Sequence, residues 1–204
     1  MSKLTNAIIL LAASGIVTMS ACGTQPGGGV GGTANSAPIV KTEPAKAPSD
    51  KGDQVVTGGD LAFINDAAPG GMAEVELGRM ASKQATDSEV KRFAAQMITD
   101  HTKAGEELKQ LAQGKKVMLP AEVLPAHKEV MEKLAKLNGA EFDREYVKAM
   151  VAAHEKDVTA FNATAQGATD ADVKAFAAKT LPTLQMHLQM IKDLDVKMSG
   201  KAKP

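Results

Sequence analysis

The chain has 204 residues, with 24 Lys and Arg against 24 Asp and Glu, so no excess charge singles out nucleic acid or an acidic surface as a partner. Aromatic residues make up 3% (five Phe, one Tyr, no Trp), too few for base stacking or for the usual anchors of a tight protein interface. Eleven Met, abundant Ala and few β-branched residues beyond position 59 favour helices around an aliphatic core.

Residues 1–21 have the pattern of a secretory signal. Lys3 supplies a positive start, Ala7 to Val17 an apolar run, and Met19-Ser20-Ala21 a small-residue end before Cys22, the only cysteine. The arrangement resembles a bacterial lipobox. A transmembrane reading needs about 20 apolar residues, which Ser14, Gly15 and the polar stretch after Cys22 deny it. Cleavage would leave Cys22 as a lipid-bearing N-terminus, its thiol consumed by acylation. Multiple acyl chains make such anchoring effectively permanent. Gly23 after the cysteine fits sorting to the outer membrane, with the protein facing the periplasm.

From Gly23 to Gly59 the composition changes: 37 residues hold nine of the 18 Gly and four of the nine Pro, and no aromatic. Such a segment cannot bury a core. Residues 22–59 are therefore expected to be the lipidated Cys and a disordered tether with a reach of about 35 Å.

The folded part is expected over 60–198, one domain in size, with 199–204 a disordered tail. An internal repeat organises it. Thr86-Asp87-Ser88-Glu89-Val90-Lys91-Arg92-Phe93-Ala94-Ala95 recurs 83 residues later as Thr169-Asp170-Ala171-Asp172-Val173-Lys174-Ala175-Phe176-Ala177-Ala178, seven of ten positions being identical. The same offset superposes Phe63-Ile64 on Tyr146-Val147. In each copy a Thr-Asp cap with an acidic first turn satisfies free backbone N–H groups and suits the helix dipole.

Two duplicated helical hairpins make a four-helix bundle. The spacing predicts a helix over 60–84 interrupted near Pro69-Gly70-Gly71, and a second over 87–113 stopped by Gly114. A third follows over 140–166 and a fourth over 170–198, kinked at Pro182. Pro120 and Pro125 break the connection between the halves, and Ala126–Leu137 should form a short extra helix. A long connection of this kind suits a ferritin-like arrangement.

An ordered set of motifs runs through this domain. It comprises Gly70-Gly71-Met72-Ala73-Glu74-Val75-Glu76-Leu77-Gly78, Asp100-His101-Thr102-Lys103-Ala104, His127, Gly139-Ala140-Glu141-Phe142-Asp143, His154-Glu155-Lys156 and Lys179-Thr180-Leu181-Pro182-Thr183-Leu184 with His187. The set resembles the bacterial domain of unknown function 4142 family over nearly all of 60–198. That resemblance implies a ferritin-like helical bundle in a bacterial envelope and brings no established activity. One departure stands out: the family commonly has Asp before the histidine of the third helix, where this chain has Ala153.

The chemistry has to come from the residues. At 100° per residue, His101 falls within the stripe of Val90, Phe93, Ala94, Met97 and Leu108, while His154 and Asp157 fall within that of Phe142, Tyr146, Met150 and Phe161. His187 lies in the arc of Phe176, Leu184 and Ile191; Glu76 sits between Met72 and Met80 at i±4, with Glu74 further round. Buried without partners these groups would cost several kcal/mol each, so they must pair or bind something.

Three readings stay open. The first is a metal site of His101, His154 and His187 with Glu76 or Asp157, suited to Zn²⁺ or a non-haem iron, with Glu74, Asp100 and His127 behind them as lesser candidates. The second is a metal-free His–carboxylate network that fixes helix register in a structural or protein-interaction module of the envelope. In the third, Met97, Met150 and Met190, each three or four residues from an inward histidine, add thioethers suited to copper. His127, followed by Lys128 and Glu129, is better suited to a cap or a surface position.

Enzymatic chemistry finds little footing. The Glu-x-x-His pairs of a di-iron site are absent, since Ile98 and Leu184 stand three residues before His101 and His187. Ser82 and Ser88 are the only serines from 60 to 198, with no Gly-x-Ser-x-Gly turn and no phosphate-cradling loop. The expectation is a non-enzyme: a lipid-anchored envelope bundle that binds, senses or buffers a metal ion under stress, or else an interaction module.

Overall fold

The computed structural model describes Val56 and residues 58–201. The expected signal sequence, Cys22 and the expected tether up to residue 55 lie outside the described residues, as do Thr57 and residues 202–204 of the expected tail. Among the described residues there are five α-helices and no strand: α1 (Gly58–Gln84), α2 (Ser88–Gly114), α3 (Pro125–Ala135), α4 (Gly139–Gly167) and α5 (Ala171–Lys201). None of these helices is long and apolar enough to cross a membrane.

α1 pairs with α2 and α4 with α5, giving two hairpins that pack into a bundle, while α3 lies in the connection against α1 and α4. Their common origin shows in a reciprocal lock that the sequence reading overlooked. Asp60, near the start of α1, accepts from the backbone N–H groups of Thr169 (2.9 Å) and Asp170 (2.7 Å) in the α4–α5 turn. Asp143, 83 residues on, does the same for the α1–α2 turn, accepting from Thr86 N–H (3.0 Å), Asp87 N–H (2.9 Å) and the Thr86 hydroxyl (2.6 Å). Asp60, Asp143 and Asp170 are all buried. Each half thus supplies a carboxylate to two backbone N–H groups at the turn that opens a helix in the other half. Asp87 and Asp170 cap the same helices locally, accepting from Glu89 N–H at 2.8 Å and Asp172 N–H at 2.9 Å.

The apolar residues form two clusters along the bundle. One gathers Leu77, Phe93, Met97, Phe142, Tyr146 and Ile191; the other gathers Phe63, Ile64, Leu108, Phe161, Phe176 and Leu184. In the second, Phe63 and Phe161 meet edge to face with centroids 4.8 Å apart. Along each of the four long helices the candidate site residues fall between these clusters: Glu74, His101, His154 with Asp157, and His187. Gly78 sets the approach of α1 to α2, since a Cβ there would lie 2.9 Å from Ile98 Cγ1 and 3.0 Å from the Ala94 carbonyl.

Several boundaries differ from expectation. α1 runs unbroken through Pro69-Gly70-Gly71, and α5 through Pro182; a proline removes one N–H, and packing on both flanks carries the helix past it. α2 ends at Gly114, within a residue of the expected stop. The left-handed residue after it is Lys116, with φ 56°, and the cap Lys115 is held by ion pairs to Asp170 and Asp172, both at 2.7 Å. Order begins before Asp60, with Val56 buried and Gly58 opening α1, and α5 continues three residues past Met198.

Candidate metal centre

Three imidazoles from three helices converge between the apolar clusters. His101 (α2), His154 (α4) and His187 (α5) are 7%, 0% and 0% exposed, with ring centroids 5.4 to 5.7 Å apart. A ring nitrogen from each lies within 4.8 Å of one from each of the others. Phe93 lies edge-on to His154 and His187 at 6.1 and 6.2 Å, closing the site on the side of the first cluster.

Each ring is gripped by one nitrogen. His101 Nδ1 is 2.8 Å from Glu74 Oε2, His154 Nδ1 is 2.9 Å from the Met150 carbonyl, and His187 Nε2 is 2.8 Å from Asp100 Oδ2. These acceptors hold the proton on the outer nitrogen of each neutral ring and leave a lone pair on the other. The other nitrogens, His101 Nε2, His154 Nε2 and His187 Nδ1, are buried and have no hydrogen-bond partner in the protein.

Burial disfavours the imidazolium at all three positions. The pKa of His101 falls to about 4 because of burial, opposed in part by the charges of Asp157 and Asp100. His154 is lowered by burial against the pull of Glu74, and His187 by burial against its bond to Asp100. At neutral pH all three are therefore neutral bases. Asp100 is pushed up by burial, but its hydrogen bonds from Gln96 (2.6 Å) and His187 outweigh this and hold it below the usual carboxylate range.

Glu74 and Asp157 face one another beside His101. Burial raises both, Asp157 to about 8 with the Glu74 charge adding to the effect, and the two carboxyls lie close enough to share a proton. The 83-residue offset relates Glu74 to Asp157 as it relates Asp60 to Asp143. The Tyr146 hydroxyl is buried without a partner, its pKa raised by burial and then by Glu74; the sequence reading took Tyr146 only as core.

Of the residues singled out from the sequence, the structure brings together His101, His154, His187, Asp157, Glu74 and Asp100. It does not bring Glu76, which is exposed and ion-paired with Arg79. Met72 and Met80, which framed Glu76 in the sequence reading, are only half-buried, and the buried face of α1 is Glu74, Leu77, Gly78 and Ala81. His127 stands half-buried on α3, lowered in pKa by burial and by Lys156, and belongs to no cluster with the three histidines. Of the methionines, Met97 and Met150 are buried, while Met190 is 37% exposed.

Below Glu74, His101 and Asp157 opens a cavity of about 860 Å³ between α1 and α2, walled by Leu108, Leu119, Phe161 and Phe176. It reaches the surface beside exposed Glu76, Arg79, Glu106 and Lys109.

A family profile described as "Domain of unknown function (DUF4142)" matches residues 45–194, and the chain belongs to this family. No curated protein sequence matches the chain. Among solved structures, CopM in its Cu(II)-bound form is similar with TM-score 0.59 and 20% identity, over 68% of this chain and 96% of that one. A DUF305 protein from Streptomyces coelicolor gives 0.59 and 17% over 70% and 94%, and a DUF305 fragment from Deinococcus radiodurans 0.61 and 11% over 70% and 98%. These likenesses show a shared helical-bundle fold.

Proposed function

We propose that this member of the DUF4142 family is a lipid-anchored envelope protein whose bundle binds one transition-metal ion through His101, His154 and His187. The observation that carries this is the set of three buried, unpartnered ring nitrogens, each on an imidazole whose other nitrogen is held. A purely structural network would satisfy those atoms, because each buried unsatisfied group costs about 1–3 kcal/mol. A metal satisfies all three at once. The grip of Glu74, Met150 O and Asp100 is the outer-shell pattern that fixes tautomer and ring orientation at His–metal sites.

Three imidazoles suit Cu²⁺, Zn²⁺ or Fe²⁺, and at equal availability the affinity order places Cu²⁺ first. Copper is also supported by the CopM structures of similar fold, which are in Cu(II)-, Cu(I)- and Ag-bound forms. Binding metal–nitrogen bonds of about 2.0–2.1 Å requires the rings to close in from their present spacing by about an ångström. Glu74, already on His101, would balance part of the ion's charge. The role proposed is capture or buffering of the ion, with no turnover.

Elemental analysis of the full chain, purified without chelator, tests the reading. About one ion per chain is expected, removed by chelator, and lost in His154→Ala while helical content is retained. Folded wild-type protein that takes up neither copper, zinc nor iron would overturn it. The anchor is tested separately: Cys22→Ser should release the protein from the membrane fraction.

A further inference from the structure

The duplication that built the bundle places the cavity where the repeat of the histidine site should be. The 83-residue offset takes His154 to Gly71, His187 to Ala104 and His101 to Leu184, and all three line the cavity. It takes Phe93, which packs on His154 and His187, to Phe176, which also lines it. In one half of the molecule the space beside the Glu74–Asp157 pair is filled by three imidazoles; in the other, glycine, alanine and leucine leave it open.

What remains is a built pocket. Its walls are apolar, and at about 860 Å³ it falls within the range of small-molecule sites. At its floor stand two carboxyls, and Glu74, only 4% exposed, gives one oxygen to His101 at 2.8 Å and holds the other 3.5 Å from His154 Nδ1, beside Asp157. The rim adds no net sign, since Glu76 and Glu106 are matched by Arg79 and Lys109. Floor charge therefore selects the ligand.

We propose that this cavity is a second binding site, for an organic amine with an apolar body. Its ammonium group pairs with the one negative charge that Glu74 and Asp157 share, and its hydrocarbon or aromatic body lies against Leu108, Leu119, Phe161 and Phe176. A carboxylate of the same skeleton meets like charge at the floor and is rejected, because a buried unpaired charge is costly. The site uses carboxyls and apolar walls, so it stands whether or not the histidines hold a metal.

The test is titration of chelator-treated full-length protein with phenylbutylamine and with phenylbutyrate, followed by calorimetry and by amide shifts in NMR. The amine is expected to saturate one site, with the acid at least about tenfold weaker, a difference of about 1.4 kcal/mol. Glu74→Gln together with Asp157→Asn should abolish that preference. Gly71→Leu, at a half-buried position that lines the cavity and where an added Cβ meets nothing within 4 Å, should abolish binding of both while the protein stays folded. Equal binding of acid and amine, no saturation by millimolar amine, or unchanged binding in Gly71→Leu would overturn the proposal. Because metal is absent from the titration, none of these outcomes bears on the histidine site.

Discussion

The Glu74–Asp157 pair should make the metal-free protein less stable as pH rises through neutrality, and Asp157→Asn should remove the effect. In the unfolded chain Asp157 ionises near 3.8, whereas in the folded protein burial and Glu74 hold its proton until about pH 8. Between those values the folded state binds the extra proton, so stability falls as pH rises. The histidines act in the opposite sense. His101 titrates near 6.5 when unfolded and near 4 when folded, so over that interval the unfolded state binds the extra proton and stability rises with pH. Below pH 6.5 the two trends oppose each other. From 6.5 to 8 the unfolded histidines still lose their last half-proton each, which adds back about 0.4 kcal/mol per ring, so the carboxyl is read as the difference between wild type and Asp157→Asn. One pH unit of differential protonation is worth about 1.4 kcal/mol, which gives a loss of at most about 2 kcal/mol over that interval. Urea unfolding followed by circular dichroism, in chelator at pH 6.5 and 8, measures it. Asp157→Asn should instead gain about 1 kcal/mol over the same range, from the histidines alone. A wild-type protein whose stability changes between the two pH values by the same amount and in the same direction as that of Asp157→Asn would refute the reasoning.

The reciprocal aspartates give an ordered pair of effects. Asp143→Ala removes the acceptor for two backbone N–H groups and a hydroxyl and should cost about 2–4 kcal/mol in urea unfolding; Asp60→Ala, with two N–H donors, should cost less. The reverse order would argue against the count of donors as the cause. Gly78→Ala should destabilise by about 1–2 kcal/mol in the same assay despite better helix propensity, because its Cβ would press on the Ala94 carbonyl, which cannot rotate away.

Much of the fold is written in local pattern. Thr86-Asp87 and Thr169-Asp170 announce the starts of α2 and α5, and the repeat announces two hairpins, because capping and amphipathic spacing act within a few residues. The inward histidines were legible for the same reason: each lies in the middle of an apolar stripe. Glu76 misled because two methionines at i±4 look like a core face, and a flexible thioether is equally at home on its edge. The pairing of Asp143 with the Thr86 turn spans 57 residues, and nothing near Asp143 marks it as a cap. It could have been found from the repeat, since Asp60 stands at the matching position. The cavity was not legible, because Gly71, Ala104 and Gly105 signify open space only once the neighbouring helices are in place.

If the cavity is the counterpart of the histidine site, restoring the missing imidazoles should create a second metal site. Gly71→His, Ala104→His and Leu184→His together place rings at the positions related by 83 residues to His154, His187 and His101. Gly71 has nothing within 4 Å of an added Cβ, so its new ring has room. Two of the three outer partners already exist: the Ala67 carbonyl matches that of Met150, and Asp157 matches Glu74. The third does not, because Thr183 stands where the repeat of Asp100 would be. Loss of one such partner costs roughly 10–100-fold in metal affinity. Competition titration of the triple variant with copper should therefore show two ions per chain, the second weaker by about that factor, and Thr183→Asp should recover part of the difference. A triple variant that folds and still binds a single ion would show that the offset relates the sequences without relating the two sites.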